Sequence, residues 1–210
     1  MQGLISAHVL RNYLEDVLRV KLRRTSSLRP LMFSYYVTSA CNFNCAYCVY
    51  AHTGITRHPQ QQLDTEGAIQ LLGIIRKACP NLYITGGEPL MRKDIVEILK
   101  AAKKLRFSSV SMISNMSLMH KRMNTLDYLT NLNVSMDMAD MNAYAKVVKA
   151  PAQVVAKVKE NIIRCAALQK KKGYVMTINC VATKDTLPQV KQVIFFTQNT
   201  ASVSQSRQSF

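Results

Sequence analysis

The feature that most constrains the fold of this 210-residue chain is a repeated alternation of short β-rich segments with amphipathic helical segments. The β-rich segments predicted as strands are 32–38, 82–85, 110–114, 133–136 and 174–182. The segments with helical periodicity are 64–79, 94–105, 122–129, 151–171 and 187–197. Successive strand–helix units favour right-handed parallel connections. The sequence therefore predicts an α/β fold whose chemistry lies at the carboxyl ends of parallel strands.

The composition suits one packed domain, because 48% of the residues are hydrophobic and 19% are charged. No apolar run approaches the roughly 20 residues of a membrane-spanning helix. His8, Arg11 and Glu15 interrupt the apolar residues near the N-terminus, which argues against a signal peptide. We therefore expect a cytoplasmic protein, in which clustered cysteines favour metal ligation over disulfides.

Residues 1–30 are predicted to form a basic amphipathic helix, over about 4–22, and a linker. This helix can dock on its own domain or make peripheral contact with an anionic membrane surface. The chain has 28 Lys and Arg residues against 12 Asp and Glu, a formal charge of +16. That charge suits an anionic partner, such as RNA or an acidic substrate, or simply a solvated basic face.

Three cysteines, Cys41, Cys45 and Cys48, follow the first predicted strand with the spacing C-x3-C-x2-C. Thiolates this close can converge on one centre as soft ligands for iron or zinc. In a four-iron cluster, three ligands would leave one iron open to a substrate or cofactor. A structural zinc site takes four ligands, and His52 can supply the fourth, so a zinc-bound interaction module remains an alternative.

A second motif, Gly86-Gly87-Glu88-Pro89, follows the second predicted strand. The two glycines allow a close backbone approach and an unusual φ at the strand end. The carboxylate of Glu88 can accept hydrogen bonds from an ammonium group.

The C-x3-C-x2-C loop and the GGEP stretch about 40 residues later resemble the signatures of the radical S-adenosylmethionine (SAM) superfamily. The resemblance implies a partial (β/α) barrel of parallel strands over 31–197, with about five of the usual six units. It also implies that the three cysteines bind a 4Fe-4S cluster and that SAM chelates the open iron. The expected function is a radical SAM enzyme that cleaves SAM reductively to methionine and a 5′-deoxyadenosyl radical, which abstracts hydrogen from an unknown substrate. The electron would come from an external donor of the flavodoxin or ferredoxin type.

The same resemblance implies which residues contact SAM, although it identifies no substrate-specific catalytic residue. Gly86, Gly87 and Glu88 correspond to the stretch that binds the methionyl amino group, and Tyr47 to the aromatic position near the adenine. The remaining expected SAM contacts are polar residues at the ends of the third, fourth and fifth strands: Ser114, Asn115, Ser135, Asp137 and Asn179.

The sequence departs from the family pattern in two places. Met138 stands where many relatives have glycine after the fourth-strand aspartate. A sixth strand–helix unit is missing, and residues 198–210 are predicted to be a polar, disordered or truncated tail in which 201–204 could begin a strand. This pattern favours a truncated or frameshifted chain and leaves an inactive relative as a further alternative.

Overall fold

The computed structural model of the protein describes residues 7–22, 30–54 and 62–206, and within them five strands form one sheet. The strands are β1 (Phe33–Tyr36), β2 (Asn81–Thr85), β3 (Ser109–Ser114), β4 (Asn131–Ser135) and β5 (Val175–Asn179). All neighbours pair in parallel, and the strand order across the sheet is the order along the chain. The predicted parallel α/β sheet, open in the manner of a partial barrel, is therefore confirmed.

The α-helices are α1 (Ala7–Lys21), α2 (Val49–His52), α3 (Thr65–Ala78), α4 (Ile95–Lys104), α5 (Met141–Val147), α6 (Ala152–Lys172) and α7 (Val190–Ser206). Local capping explains where α3 begins and where α6 ends. The Asp64 side chain accepts a hydrogen bond from the Gly67 backbone N–H (2.8 Å) at the start of α3. Gly173, with φ +74°, ends α6 in the left-handed conformation that favours glycine. Within the described ranges, none of the helices has the length and apolarity needed to span a membrane.

Three of the sequence-based assignments are wrong. The segment predicted as a helix over 122–129 is a 3-10 helix over Met123–Tyr128, and the short helix α5 was not predicted. Helix α7 continues beyond the predicted end at Thr197 to Ser206, so 201–204 is helical rather than the start of a strand. The hydroxyls of Thr197 and Thr200 donate to carbonyls four residues earlier (2.7 and 2.8 Å), so these polar side chains are satisfied within the helix. Residues 207–210 of the predicted tail lie outside the described residues.

The two faces of the sheet differ in polarity because side chains alternate along each strand. Leu82, Ile84, Met112 and Leu132 are buried in the core formed with α3, α4 and α6. The alternate positions are partly exposed and polar, and Asn131 Nδ2 donates to two hydroxyls of the neighbouring strand, Ser109 Oγ (3.1 Å) and Ser111 Oγ (3.2 Å). The core therefore lies on one face, and the loops at the carboxyl ends of the strands carry most of the residues that the sequence singles out.

Candidate cluster and cofactor site

The cysteine loop lies between β1 and α2 and is fixed against the end of α5. Its backbone N–H groups at Asn44 and Ala46 donate to the carbonyls of Val148 (2.8 Å) and Val147 (3.0 Å). The buried ring of Phe43 meets Tyr144 edge-on, with ring centroids 6.3 Å apart. The loop that carries the three thiols is thus anchored by both backbone bonds and an aromatic contact.

The thiols of Cys41, Cys45 and Cys48 are free and half-buried. Desolvation raises the pKa of Cys41 to about 12 and that of Cys45 to about 11. Thiols with such values are protonated at neutral pH, so binding of a metal centre here must release protons.

The described residues offer no ready-made position for a single metal ion. In the part of the chain that the structure describes, no three His, Cys, Asp or Glu side chains converge on one ion-sized position. His52, the expected fourth ligand of a zinc site, has its Nε2 2.6 Å from the carbonyl oxygen of Ala46. Three thiolates that each bind a different iron of a cluster need not share one central point.

The turn at Gly86 and Gly87 packs directly on the backbone that leads into the cysteine loop. Gly87 N–H donates to Thr38 O (2.8 Å), and Glu88 N–H donates to Ala40 O (2.7 Å). A Cβ atom on Gly86 would lie 2.3 Å from Thr38 O, and one on Gly87 would lie 2.2 Å from Ala40 O. Gly86 also has φ +146°, which favours glycine. The predicted close approach is confirmed, and its partner in this structure is the neighbouring loop.

A cavity of about 260 Å³ lies beside this turn. Its lining residues come from the ends of β1 and β2, from α2 and from the start of the segment that leads to α3: Tyr36, Thr38, Ser39, Tyr50, Gln62, Gly86 and Gly87. The rings of Tyr36 and Tyr50 meet edge-on at 5.8 Å. The three cysteines are not among the lining residues, although Ser39 and Tyr50 flank the cysteine loop in the chain.

Glu88 joins the end of β2 to the end of β3. Its carboxylate is 1% exposed and accepts hydrogen bonds from Leu90 N (3.0 Å), Ser114 Oγ (2.9 Å) and Asn115 N (2.7 Å). Burial raises the pKa of Glu88 to about 7, while these three hydrogen bonds act in the opposite direction. Three of the positions at which this carboxylate can accept hydrogen bonds are therefore occupied by the protein itself.

Asn115 links the end of β3 to the cysteine loop. Its Nδ2 donates to Asn42 Oδ1 (3.0 Å), and its Oδ1 accepts from the backbone N–H (3.0 Å) and the hydroxyl (2.7 Å) of Ser117. Asn42 Nδ2 donates in turn to Ser117 Oγ (2.8 Å). Asn42 and Ser117 were not predicted as site residues. The position of Asn42 inside the C-x3-C-x2-C loop could have identified it as a site residue. No feature of the sequence pointed to Ser117.

Asp137, at the end of β4, holds both the cysteine loop and the segment after β5. One carboxylate oxygen accepts the hydroxyl hydrogen of Tyr47, and the other accepts the N–H of Val181 (2.8 Å). Asp137 has no exposed surface, and desolvation raises its pKa against these two hydrogen bonds. Desolvation and the bond to Asp137 likewise raise the pKa of Tyr47.

Ser135 and Asn179 are two further expected contacts, at the ends of β4 and β5. They are register partners at the last positions of β4 and β5. Ser135 is half-buried and Asn179 is exposed, whereas Glu88, Ser114, Asn115 and Asp137 are buried. Of the nine expected SAM contacts, Gly86 and Gly87 line the cavity, and Glu88, Ser114, Asn115 and Asp137 are buried and bond other segments of the protein. Asn179 is exposed, and Tyr47 and Ser135 are half-buried.

Arg92 is a further supporting residue that the sequence reasoning missed. Its guanidinium is buried and donates to Val37 O (2.6 Å), beyond the end of β1, and to Leu63 O (2.8 Å), before α3. It also forms a two-pronged ion pair with Asp94, at 2.8 and 2.9 Å. One charged residue near the glycine turn therefore ties together three connecting segments.

The fold and this site define an α/β protein that presents three thiols and a glycine turn at the carboxyl edge of an open parallel sheet. Its sequence matches the profile of the Radical SAM superfamily over residues 35–196, so the chain belongs to that superfamily. Enzymes of this superfamily bind a 4Fe-4S cluster and SAM. The residues present fit both groups, because the thiols share one anchored loop and the two glycines bring the turn after β2 against it.

Curated relatives and solved structures are similar to parts of the chain. Molybdenum cofactor biosynthesis protein 1 of Drosophila melanogaster is 29% identical over 154 residues, which is 71% of this chain and 26% of that protein. A probable GTP 3′,8-cyclase of Methanosarcina acetivorans is 35% identical over 133 residues, which is 60% of this chain and 39% of that protein. Streptococcus suis SuiB bound to S-adenosylmethionine shares the fold, with a TM-score of 0.66 at 21% identity, over 91% of this chain and 43% of that one. The chain thus spans less than half the length of each of these proteins.

Proposed function

We propose that this chain is the cofactor-binding part of a radical SAM enzyme, in which Cys41, Cys45 and Cys48 hold a 4Fe-4S cluster. The observation that carries the proposal is the direct bonding of the glycine turn to the segment that leads into the cysteine loop. When bound, the reduced cluster and SAM would supply one-electron cleavage of the C5′–S bond, which releases methionine and a 5′-deoxyadenosyl radical that takes a hydrogen atom from the substrate.

Different residues of the chain would bind the cluster, contact SAM and fix the loops. The three thiolates would each bind a different iron and leave the fourth iron without a protein ligand. Gly86 and Gly87 line the cavity and would face the methionyl end of SAM. Tyr47, Ser135 and Asn179 would contact the remainder of that molecule. Glu88, Ser114, Asn115 and Asp137 would act mainly by fixing the loops that present these groups.

The substrate is proposed only as a class, one that is anionic or RNA. The formal charge of +16 supports an anionic substrate and an acidic electron donor of the flavodoxin or ferredoxin type, because opposite charge speeds encounter. The six free cysteines support a reducing compartment, and we place the protein in the cytoplasm. GTP, which the names of some relatives indicate, would be one anionic substrate to test.

The test is anaerobic reconstitution with iron and sulfide, followed by reduction with dithionite in the presence of SAM. Formation of 5′-deoxyadenosine and methionine is the expected result, and neither requires the natural substrate. Cys45→Ser is expected to lose both the cluster and this activity. Cys180→Ser makes the same chemical change at a half-buried cysteine outside the loop and is expected to keep both. Equal behaviour of the two variants, or an inactive native chain, would contradict the proposal.

A further inference from the structure

Helix α1 has its polar and apolar sides placed the opposite way from an ordinary surface helix. Among the side chains described in this helix, Asp16 alone is buried, with 4% of its surface exposed. Leu10, Leu14 and Leu18 are 53%, 53% and 58% exposed. A surface helix normally turns its apolar side chains towards the core, so this arrangement needs a partner that the rest of the described chain does not provide.

The exposed leucines form a continuous stripe rather than scattered positions. Leu10, Leu14 and Leu18 follow one another at steps of four residues and therefore lie on one side of the helix. Tyr13 and Leu22, which are 44% and 62% exposed, extend the stripe. Single exposed leucines are common on protein surfaces, but a contiguous apolar strip marks an interaction surface.

The charges around the stripe identify the kind of partner. The described residues 7–22 contain two acidic residues, Glu15 and the buried Asp16, and three basic ones, Arg11, Arg19 and Lys21. Long basic side chains beside an apolar stripe can keep their charges among phosphate groups while their aliphatic stems lie against hydrocarbon. A second copy of this chain is a poorer partner, because each copy carries a formal charge of +16.

We propose that α1 lies along the surface of an anionic lipid bilayer, with the Leu10–Leu14–Leu18 stripe at the boundary between headgroups and acyl chains. Arg11, Arg19 and Lys21 would contact the lipid phosphates and make the binding depend on anionic lipid. This inference does not depend on the cofactor site, because none of the residues involved belongs to it.

The test is sedimentation of the full-length protein with vesicles of two compositions, phosphatidylcholine alone and phosphatidylcholine mixed with phosphatidylglycerol. We expect at least about tenfold tighter binding to the anionic vesicles, and release when the salt concentration is raised. Leu14→Glu should abolish binding by placing a charge in the stripe. Ile74→Glu introduces the same charge at an exposed apolar residue of α3 (66% exposed) and should bind like the native protein.

Circular dichroism and thermal melting of both variants would establish that loss of binding is not loss of folding. Three outcomes would overturn the proposal: no sedimentation with anionic vesicles, equal binding to neutral vesicles, and equal losses in the two variants. A dimer that Leu14→Glu dissociates, without vesicle binding by the native chain, would also overturn it and would assign the stripe to a second copy.

Discussion

The hydroxyl of Tyr47 donates a hydrogen bond to the carboxylate of Asp137, ninety residues further along the chain. Tyr47 lies between Cys45 and Cys48, and Asp137 follows β4 at a position with no exposed surface. The same carboxylate accepts the N–H of Val181. Asp137 is therefore one buried side chain that links the cysteine loop to the ends of β4 and β5.

Removal of this hydroxyl is expected to destabilise the fold measurably. Tyr47→Phe takes a hydrogen bond from a buried carboxylate, and such bonds contribute about 1.5–3 kcal/mol to stability. Urea unfolding should report a loss of that size in the free energy of unfolding. Tyr13→Phe removes a hydroxyl from an exposed ring on α1 and should change stability by less than about 0.5 kcal/mol. Identical midpoints for Tyr47→Phe and the native chain would contradict the role given to the bond.

Two glycine substitutions are expected to have opposite signs. Gly87→Ala would place a Cβ atom 2.2 Å from Ala40 O and force the glycine turn away from the cysteine loop, at a cost of about 3 kcal/mol or more. Gly73→Ala lies within α3 and has no atom within 4 Å of the new Cβ, so it should stabilise by about 0.5–1 kcal/mol. Denaturant unfolding of both variants measures the two changes in the free energy of unfolding. A tolerated Gly87→Ala would show that the two loops are not held together as described.

The buried carboxyl of Glu88 should make stability depend on pH. Its pKa is raised from 4.5 to about 7 in the folded chain, so the fold favours the protonated form. The associated stability is fully present below pH 4.5 and is lost as the pH rises through 7, by about 3 kcal/mol in total.

The comparison that isolates this contribution is the difference between the native chain and Glu88→Gln, measured by urea unfolding from pH 4.5 to 8. The variant lacks the titrating group. The difference in the free energy of unfolding between the native chain and the variant should therefore change steadily up to pH 7 and then stay constant. Parallel pH profiles over the whole range would mean that the Glu88 carboxyl titrates alike in the folded and unfolded states.

Two arginine ion pairs among the described residues, Arg92–Asp94 and Arg11–Glu15, should differ sharply in importance. Arg92→Met removes a buried guanidinium that bonds Asp94, Val37 O and Leu63 O, and breaking such a pair costs about 3–5 kcal/mol. Arg11→Met removes the partner of Glu15 on α1, where the two side chains are 67% and 46% exposed, and should cost less than about 1 kcal/mol. Thermal melting of the two variants compares their losses of stability. Similar losses for Arg92→Met and Arg11→Met would contradict the role given to Arg92.

Local sequence patterns predicted the parts of the fold that depend on local interactions. The alternation of β-rich and amphipathic segments is sufficient for a parallel sheet, and the ends marked by Asp64 and Gly173 follow from capping chemistry. The continuation of α7 was missed, because a Ser/Thr/Gln-rich segment has weak apolar periodicity even where threonine hydroxyls bond the helix backbone.

The partners of the site residues could not be predicted in the same way. Glu88 and Asn115 carry the polar chemistry of ligand contacts, yet each bonds residues of the protein that come from other segments of the chain. Such pairings depend on which strand ends become neighbours, a property of the whole sheet that periodicity along one segment does not contain. Sequence reasoning therefore located the strand ends that build the site but did not separate bracing residues from residues open to a ligand.

The most direct test of the account is electron paramagnetic resonance of the reconstituted, reduced protein with and without SAM. If Cys41, Cys45 and Cys48 hold a 4Fe-4S cluster with one iron open, the reduced protein should give a cluster signal that changes when SAM is added. A signal that is unaffected by SAM, or reconstitution that yields stoichiometric zinc and no cluster, would contradict the central claim.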